Sequence, residues 1–296
     1  MHIPVLQKEV IEYLNPKPQE KFIDATFGLG GHSILILEKI LPDGRLLGID
    51  RSPEMITKIE SDSRFLKFKK NLILICDNFV NLKEIVEKNN FKEVSGILFD
   101  LGMSRWHIEE SQRGFSLKKE EILDMRYNPQ DSLTAEEIIN RWPKEKIENI
   151  LREYGQERFA KKISEKILEN RKRQSIKTTF QLIDIIKKAI PVNYQHQKIH
   201  FATRTFQALR IAVNDELNNI DKALPQAWAI LKKEGRLAII SFHSLEDRMV
   251  KNFFKDYSRK GFLKILTKKP IRPESSEIIA NPSSRSAKLR VAIKII

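Results

Sequence analysis

The first hundred residues alternate short apolar runs with longer amphipathic stretches. The apolar runs have the length of buried strands, and Ser52-Pro53 opens one of the intervening helices with proline at a favourable early position. Strands that alternate with helices form a parallel sheet with helices on both faces. This pattern predicts a doubly wound α/β domain. The predicted strands are Lys21–Asp24, Arg45–Asp50, Leu72–Cys76 and Gly96–Phe99, and the first predicted long helix is His32–Ile40.

The pattern changes after about residue 105. From there to residue 207 most segments have helical spacing or loop composition, and a long helix is predicted over Thr203–Ala223. Strand patterns return at Leu237–Ser241 and Leu289–Ile295. We therefore predict an α/β domain made of residues 1–105 and 208–296, interrupted by a mostly helical domain of residues 106–207.

The charge balance indicates a polyanionic partner. Lys and Arg number 53 against 39 Asp and Glu, which gives a formal net charge of +14 and a pI near 9.7. A protein this basic often binds nucleic acid, although a solvated surface tuned for solubility has the same composition. Charge alone does not distinguish RNA from DNA or a membrane surface.

Several protein classes are disfavoured by what the sequence lacks. Cys76 is the only cysteine, which excludes an internal disulfide and a cysteine-based zinc cluster. No apolar run reaches the roughly 18 residues of a membrane span, and the N-terminal residues do not have the pattern of a signal peptide. We expect a cytoplasmic protein without a membrane partner. No ligand cluster in the sequence argues for a metal site, and the sequence does not determine whether a metal ion is needed. The oligomeric state is not determined, and a homodimer is compatible with the sequence.

A glycine-rich turn is the strongest local pattern. Asp24-Ala25-Thr26-Phe27-Gly28-Leu29-Gly30-Gly31-His32 joins a predicted strand to a predicted helix, where free backbone amides can approach a ligand closely. Asp50 ends the next strand, twenty residues after Gly30, and a carboxylate there can accept both hydrogen bonds of a ribose diol. A tight turn without a ligand is the plainer alternative, which Asp50 disfavours.

The turn favours S-adenosylmethionine over a dinucleotide. Dinucleotide enzymes place a third glycine where this chain has Ser33, because that glycine allows the helix to pack closely around a pyrophosphate. Two further strand ends are expected at the same edge of the sheet. Asp77 and Phe79 could contact an adenine ring, and Asp100 follows the fourth strand. A single Asp at such a position would more often cap a helix.

These motifs, with others along the chain, resemble the RsmH (MraW) family of bacterial ribosomal RNA methyltransferases. The resemblance is densest at Ala202–Ile211 and Val213–Leu217, continues at Ser241–Arg248, and extends over nearly the whole chain. Further matching segments are Gln112–Ser116, Asp124–Arg126, Leu151–Gly155 and Asn281–Arg290. The resemblance implies a Rossmann-like class I methyltransferase fold with a helical insertion.

The resemblance also implies an activity and a set of site residues. The expected reaction is N4-methylation of a cytidine in the P-site decoding region of 16S rRNA, with S-adenosylmethionine as cofactor and the 30S subunit as partner. The resemblance implies cofactor contacts at Gly30, Gly31, His32, Asp50, Phe79, Asp100 and His107. The glycine-rich turn and the end of the third strand add Gly28 and Asp77 to the expected cofactor-binding residues. The chain departs from the family at Trp106-His107, where a Pro-Gln-like pair is usual, and at Asn128, where the family has Asp.

Three residues are candidates for catalysis. Methylation of a cytosine amino group requires that the nitrogen be held in line with the methyl group. It does not require a strong general base. Asp100 is the candidate for positioning both the amine of the cofactor and the target amine of the cytosine. His243 follows the fifth strand and could face the target base, although Ser244 and Asp247 also have the pattern of a helix cap. Asn214 could line the site or belong to a buried network, with Arg210 one turn away.

Two basic segments are candidates for contact with RNA phosphates. Residues 161–177 contain seven basic and two acidic side chains, and residues 259–296 contain ten and two. Either segment could instead be a solvated face or a tail that is ordered only on the ribosome. Trp106, Phe115 and Trp142 could stack on unpaired bases or belong to the core. A DNA amino-methyltransferase, a non-catalytic RNA-binding factor and a nicotinamide oxidoreductase are the alternatives.

Overall fold

The computed structural model describes residues 4–296, and these divide into two compact units. One unit runs up to Gly102 and resumes at Leu217–Ile296, and the other is Met103–Glu216. Within the described residues, no helix combines the length and apolar character needed to cross a membrane. The first unit is called the α/β unit below, and the second is called the helical unit.

The α/β unit contains a seven-stranded sheet among the residues that the structure describes. The strand order is β3-β2-β1-β4-β5-β7-β6. Strands β1 to β5 are parallel, while β7 is antiparallel to both β5 and β6. The strands are β1 (Lys21–Asp24), β2 (Arg45–Asp50), β3 (Leu72–Cys76), β4 (Val94–Asp100), β5 (Leu231–Ser241), β6 (Leu263–Ile265) and β7 (Lys288–Lys294).

Fourteen α-helices lie within residues 4–296. They are α1 (Gln7–Leu14), α2 (Gly31–Ile40), α3 (Pro53–Glu60), α4 (Leu82–Lys88), α5 (Arg105–Glu109), α6 (Ala135–Arg141), α7 (Lys144–Glu153), α8 (Ala160–Arg171), α9 (Thr179–Ala189), α10 (Val192–Gln195), α11 (Thr203–Asn214), α12 (Glu216–Ile230), α13 (Ser244–Arg259) and α14 (Ser275–Ala280).

Helices cover both faces of the sheet because successive side chains of each strand point to opposite faces. In β1, Phe22 packs in the cluster formed with α1, α2 and α3, while Ile23 packs in the cluster formed with α4, α12 and α13. In β2, Leu46 packs in the same cluster as Phe22, and Leu47 packs in the same cluster as Ile23. This mostly parallel, doubly covered sheet with a helical insertion confirms the fold class predicted from the sequence.

The helical unit has its own apolar core. Ile138 of α6, Leu151 of α7, Ile163 of α8 and Ile186 of α9 are fully buried together in one cluster with Leu209 of α11. Because α11 packs in this core, the helical unit extends to Glu216, whereas the sequence prediction ended the insertion at residue 207.

The predicted long helix over Thr203–Ala223 is wrong, because the chain forms two helices there. Asp215 lies between α11 and α12 in the left-handed conformation, with φ 52° and ψ 38°. Its backbone N–H donates to Ile211 O, which closes the last turn of α11. Aspartate tolerates this conformation better than most residues with a side chain.

The C-terminal basic segment is folded in the described structure. Residues 259–296 include β6, α14 and β7, and Arg290 of β7 is buried with its Nε 2.7 Å from Asp247 Oδ1. The alternative of a tail that is ordered only on the ribosome is therefore wrong. Strand β6 has only three residues, and its pattern was too short to be predicted.

Candidate functional site

The glycine-rich turn leaves β1 and enters α2 at the carboxyl edge of the sheet. Gly28 and Gly30 adopt positive φ values of 52° and 69°. A side chain at Gly30 would also be crowded, because its Cβ would lie 2.3 Å from Phe65 Cζ. Gly31 begins α2, and a Cβ there would lie 2.6 Å from Pro4 Cγ. Both the backbone conformation and the close packing therefore require glycine in this turn.

Asp50 at the end of β2 ties two backbone segments together. Its Oδ2 accepts a hydrogen bond of 2.8 Å from Gly28 N, and its Oδ1 accepts one of 2.8 Å from Ser52 N. Burial raises the pKa of this carboxyl to about 6, and the charge of Glu54 adds to the rise, while both backbone hydrogen bonds oppose it. Each carboxylate oxygen can accept a second hydrogen bond, so Asp50 keeps the capacity to bind a diol.

A second carboxylate, Asp24, begins the glycine-rich motif, although the sequence did not predict it as a site residue. It is 2% exposed, and its Oδ2 accepts a hydrogen bond of 2.6 Å from Ser33 Oγ while its Oδ1 accepts one of 3.2 Å from Thr26 N. Burial raises the pKa of Asp24 to about 6, and the neighbouring charge of Asp50 contributes. Ser33 could have indicated a role for Asp24 from the sequence, because it replaces the third glycine of the dinucleotide pattern with a hydrogen-bond donor.

Asp100 ends the central strand β4, beside β1. Its backbone N–H donates a hydrogen bond of 2.6 Å to Thr26 Oγ1, and its Oδ2 lies 3.7 Å from Nε2 of the buried His32. Its Oδ1 is buried and accepts no hydrogen bond from any residue that the structure describes. Burial raises the pKa of Asp100 to about 8, and the charges of Asp24 and Glu246 add to this effect.

The geometry around Asp100 suits a cationic or amine-bearing ligand. A buried carboxylate oxygen without a hydrogen-bond donor is costly, and an ammonium or amino group would satisfy it. The raised pKa has the same implication, because a positive charge beside Asp24 and Asp100 would offset the repulsion between carboxylates. S-adenosylmethionine carries both an ammonium group and a sulfonium, so these residues fit the cofactor predicted from the sequence.

The third strand end carries Asp77 and Phe79. Asp77 N–H donates to Asp50 O at 3.0 Å, which places the ends of β2 and β3 side by side. Its Oδ1 accepts hydrogen bonds of 2.6 Å from Asn78 N and 2.9 Å from Asn81 Nδ2. Phe79 packs edge-on against Phe99 with ring centroids 5.5 Å apart. Both residues therefore lie at the predicted edge, and Asp77 also organises the turn that leads into α4.

His243 is the N-cap of α13, directly after β5. Its Nδ1 accepts a hydrogen bond of 3.4 Å from Glu246 N, and Glu246 Oε2 accepts hydrogen bonds of 2.8 Å from Phe242 N and 3.3 Å from His243 N. The predicted cap at Ser244 and Asp247 is wrong by one residue, because an unprotonated imidazole nitrogen serves as the acceptor. Asp247 instead pairs with Arg290 and with Lys288, whose Nζ lies 3.0 Å from Asp247 Oδ2.

Asn214 belongs to the helical unit and sits in a buried network. Its Nδ2 donates hydrogen bonds of 2.7 Å to Met125 O and 3.0 Å to Arg210 O, and its Oδ1 accepts one of 2.9 Å from Tyr127 N. Met125 has a φ of 62°, so Asn214 holds both sides of a strained turn. Arg210 in turn pairs with the buried Glu216, with 2.9 Å between Nε and Oε1.

His107 also belongs to the helical unit, where it lies among aromatic rings. Its ring is 5% exposed, and its Nδ1 is 2.8 Å from Ser104 Oγ. The centroids of the rings of Trp106, Phe115 and Tyr127 lie 5.2, 5.2 and 4.9 Å from that of His107. Trp106 and Phe115 are buried in the described structure, at 8% and 6% exposure, which favours the core alternative over base stacking for these two side chains.

The α/β unit thus brings together most of the predicted site. The glycine turn, His32, Asp50, Asp77 and Asp100 all lie at the carboxyl ends of parallel strands, where open α/β sheets bind ligands. The structure adds Asp24, Thr26 and Ser33 to this group.

Known proteins match the chain over nearly its whole length. The chain matches the family described as "MraW methylase family" over residues 1–295. It is 46% identical over 294 residues to "Ribosomal RNA small subunit methyltransferase H" of Sulfurihydrogenibium sp. (strain YO3AOP1), covering 99% of both chains. The protein of the same name from Heliobacterium mobile is 45% identical over 310 residues, again with 99% of each chain covered.

Solved structures show a more distant likeness. A structure described as a putative rRNA-methylase from Clostridium thermocellum gives a TM-score of 0.49 with 14% identity over the full length of both chains.

The family resemblance of the sequence motifs is confirmed by the family match and the curated relatives. The chain belongs to the MraW methylase family, a family of S-adenosylmethionine-dependent methyltransferases.

Proposed function

We propose that this protein transfers a methyl group from S-adenosylmethionine to N4 of a cytidine in the P-site decoding region of 16S rRNA. The observation that carries this proposal is the 45–46% identity, over 99% of both chains, to proteins named ribosomal RNA small subunit methyltransferase H. The choice of cytidine N4 rests on the RsmH-like motifs of the sequence. The proposed substrate is the 30S subunit or its rRNA, which implies a cytoplasmic reaction.

The proposed cofactor site uses the carboxyl edge of the sheet. Backbone groups of Gly28, Gly30 and Gly31 would line the methionine end, and Asp50 would accept the ribose hydroxyls through its remaining lone pairs. Asp77 and Phe79 would contact the adenine, while His32 and Asp100 would face the methionine ammonium. The family contact at His107 stays a prediction. This arrangement is supported by the turn geometry and by the buried Asp100 Oδ1.

In the proposed reaction, Asp100 orients amines rather than acting as a strong base. S-adenosylmethionine supplies an electrophilic methyl group on a sulfonium. The carboxylate of Asp100 can accept a hydrogen bond from an N4 hydrogen, which turns the nitrogen lone pair toward the methyl group. A nearby positive charge would lower the raised pKa of Asp100, so that the group is ionised when it is needed. As the bond between N4 and the methyl carbon forms, the methyl–sulfur bond would break and leave a neutral thioether, and the N4 proton would then leave to solvent.

His243 and Asn214 are proposed to support catalysis by positioning. His243 caps α13 where β5 ends, beside the edge that carries Asp100, so its ring fixes the path of the chain there. Asn214 fixes the turn from Met125 to Tyr127 in the helical unit. Neither role requires proton transfer, which is consistent with the modest demand of amine methylation for base catalysis.

The exposed cations of α8 and the following loop are proposed to contact RNA phosphates. Of the seven basic residues in this stretch, Lys166 and Arg173 pair with Glu169, and Arg171 donates to backbone oxygens of Ile139 and Trp142. The remaining four are exposed and form no ion pair with any residue of the described range, 4–296. They are Lys161, Lys162, Lys172 and Lys177. Such cations are available to replace the counterions of a phosphate backbone.

Transfer of labelled methyl to 30S subunits tests the proposal. Subunits that lack the N4 mark, modified subunits and duplex DNA would each be incubated with the protein and radiolabelled S-adenosylmethionine. We expect label only on the unmodified subunits, recovered by mass spectrometry as N4-methylcytidine at one position. Label on duplex DNA, or on a different rRNA nucleoside, would refute the proposed target, while the cofactor assignment would stand.

A further inference from the structure

The N-terminal segment packs directly on the glycine turn. A Cβ atom added at Gly31 would lie only 2.6 Å from Pro4 Cγ. The proline ring therefore covers the first residue of α2. Val5 and Leu6 follow at 6% and 0% exposure, in the same apolar cluster as Phe27 of the turn. The position of this segment therefore constrains the backbone of Gly30 and Gly31.

One side chain from the distant C-terminal part of the chain anchors this segment. Glu277 of α14 accepts a hydrogen bond of 2.8 Å at Oε1 from Leu6 N, although 271 residues separate the two along the chain. Leu6 has a φ of 53°, which is unfavourable for a residue with a branched side chain, and no side chain caps α1. The bond from Glu277 offsets part of that cost at the point where the segment turns into α1.

The location of α14 explains why Glu277 can reach this point. Helix α14 lies in the connection between β6 and β7, and β7 begins at Lys288, which pairs with Ser241 at the carboxyl end of β5. This connection therefore lies at the same edge of the sheet as the ends of β1, β2 and β4. Pro4, Gln7, Glu274 and Glu277 line one cleft there.

We infer that Glu277 is a positioning residue for cofactor binding, which holds the N-terminal segment against the glycine turn through its hydrogen bond to Leu6. The bond fixes Leu6, Leu6 fixes Pro4, and Pro4 limits the movement of Gly31. Loss of the bond would loosen the turn without removing any group that contacts the cofactor. This inference rests on the proposed placement of S-adenosylmethionine at the turn.

Calorimetric titration of S-adenosylmethionine into four forms of the full chain tests the role. Glu277→Ala removes the acceptor, Glu277→Gln keeps an acceptor oxygen without the charge, and Glu274→Ala removes an exposed carboxylate from the same cleft. We expect Glu277→Ala to weaken binding about fivefold, the effect of removing one hydrogen bond, while the other two variants bind like the unmodified protein. Equal weakening by Glu274→Ala or Glu277→Gln would assign the effect to charge and overturn the inference.

Hydrogen exchange of the cofactor-free protein separates this inference from the proposed function. We expect Glu277→Ala to raise exchange about fivefold at amides of residues 5–10 and 30–34, with the core of the helical unit unchanged and Glu277→Gln close to the unmodified protein. Unchanged exchange in Glu277→Ala would overturn the anchoring role even if the cofactor binds. Failure of the unmodified protein to bind S-adenosylmethionine, with exchange raised as expected, would refute the cofactor placement alone.

Discussion

Ser33 Oγ donates a hydrogen bond of 2.6 Å to Asp24 Oδ2, and both side chains are buried. The bond joins the end of β1 to the first turn of α2 across the glycine-rich loop. Thr26 extends the connection, because its N–H donates to Asp24 Oδ1 and its Oγ1 accepts from Asp100 N. Position 33 therefore helps to fix the ends of both central strands that carry the candidate site.

Replacing Ser33 with Ala should destabilise the protein in a pH-dependent way. Asp24 would lose its donor, which raises the carboxyl pKa further above its present value of about 6. A carboxyl whose pKa is raised in the folded state stabilises that state at low pH, and this stabilisation is lost as the pH rises through the folded-state pKa. The loss in the free energy of unfolding caused by Ser33→Ala should therefore be greater at pH 8 than at pH 4.5. We expect a loss of about 1–3 kcal/mol at pH 8, measured by urea unfolding.

Ser61→Ala is the matched control, because Ser61 is exposed and its Oγ donates only to backbone oxygens of α3. An equal loss at both pH values for Ser33→Ala would contradict the role of Asp24 ionisation.

Replacing Gly30 with Ala should be more harmful than the same change at Gly261. Both glycines have positive φ, at 69° and 76°, so alanine costs about 1–2 kcal/mol of backbone strain at either position. Only Gly30 has a neighbour in the way, since its Cβ would lie 2.3 Å from Phe65 Cζ whereas nothing lies within 4 Å at Gly261. Thermal unfolding and cofactor titration should show a larger loss for Gly30→Ala in both measurements. Equal losses would mean that Phe65 moves freely.

The sequence was sufficient to predict the elements whose pattern is local. The apolar runs of β1 to β4 and the glycine turn followed from residues close in the chain, and so did the positions of Asp50 and Asp100 at strand ends. The break at Asp215 was missed because apolar periodicity continues on both sides of it, while one residue in a left-handed conformation is enough to end a helix.

Interactions between distant residues could not be predicted in the same way. The bond from Leu6 to Glu277 depends on how the β6–β7 connection folds back, which no local pattern reports. The cap of α13 was misplaced because histidine is an unusual N-cap, and only the observed geometry shows its Nδ1 accepting from Glu246 N. The pKa of Asp100 likewise depends on burial and on Asp24 and Glu246, which approach it only in the fold.

Cofactor binding should release a proton through Asp100. The pKa of Asp100 is raised to about 8, so the carboxyl is mostly protonated at pH 7. A bound cation favours the carboxylate, so binding should tighten as pH rises toward 8, by at most about tenfold per pH unit. Calorimetry in buffers of different ionisation enthalpy would measure the proton released at pH 7.

Asp100→Asn should abolish this release, whereas Asp43→Asn, which alters an exposed carboxyl, should keep it. Proton release that survives in Asp100→Asn would assign the linkage to another group.

Replacing Asn214 with Asp should destabilise the helical unit. The amide nitrogen now donates to Met125 O and Arg210 O, and a carboxylate would place an oxygen against each of these carbonyls. We expect a loss of about 1–3 kcal/mol, together with increased hydrogen exchange at Met125 and Tyr127. Asn128→Asp is the control, because the Asn128 side chain accepts from Gln130 N and a carboxylate can do the same. Full stability of Asn214→Asp would show that the network does not hold this turn.

Neutralising the exposed lysines near α8 should weaken RNA binding in a salt-dependent way. Lys161→Gln and Lys162→Gln remove cations that form no ion pair with any described residue. If each lysine contacts one phosphate, each substitution should reduce the slope of log affinity against log salt by about 0.7–0.9. Lys188→Gln removes a lysine of the same unit that is paired with Asp184, and it should change the slope little.

The measurement is binding to 30S subunits between about 50 and 200 mM salt, a range over which binding through 6–10 phosphates weakens by about 10³–10⁵. A uniform decrease of affinity with an unchanged slope in Lys161→Gln and Lys162→Gln would mean that these side chains do not bind phosphates. An effect of Lys188→Gln as large as theirs would assign the salt dependence to overall charge rather than to this face.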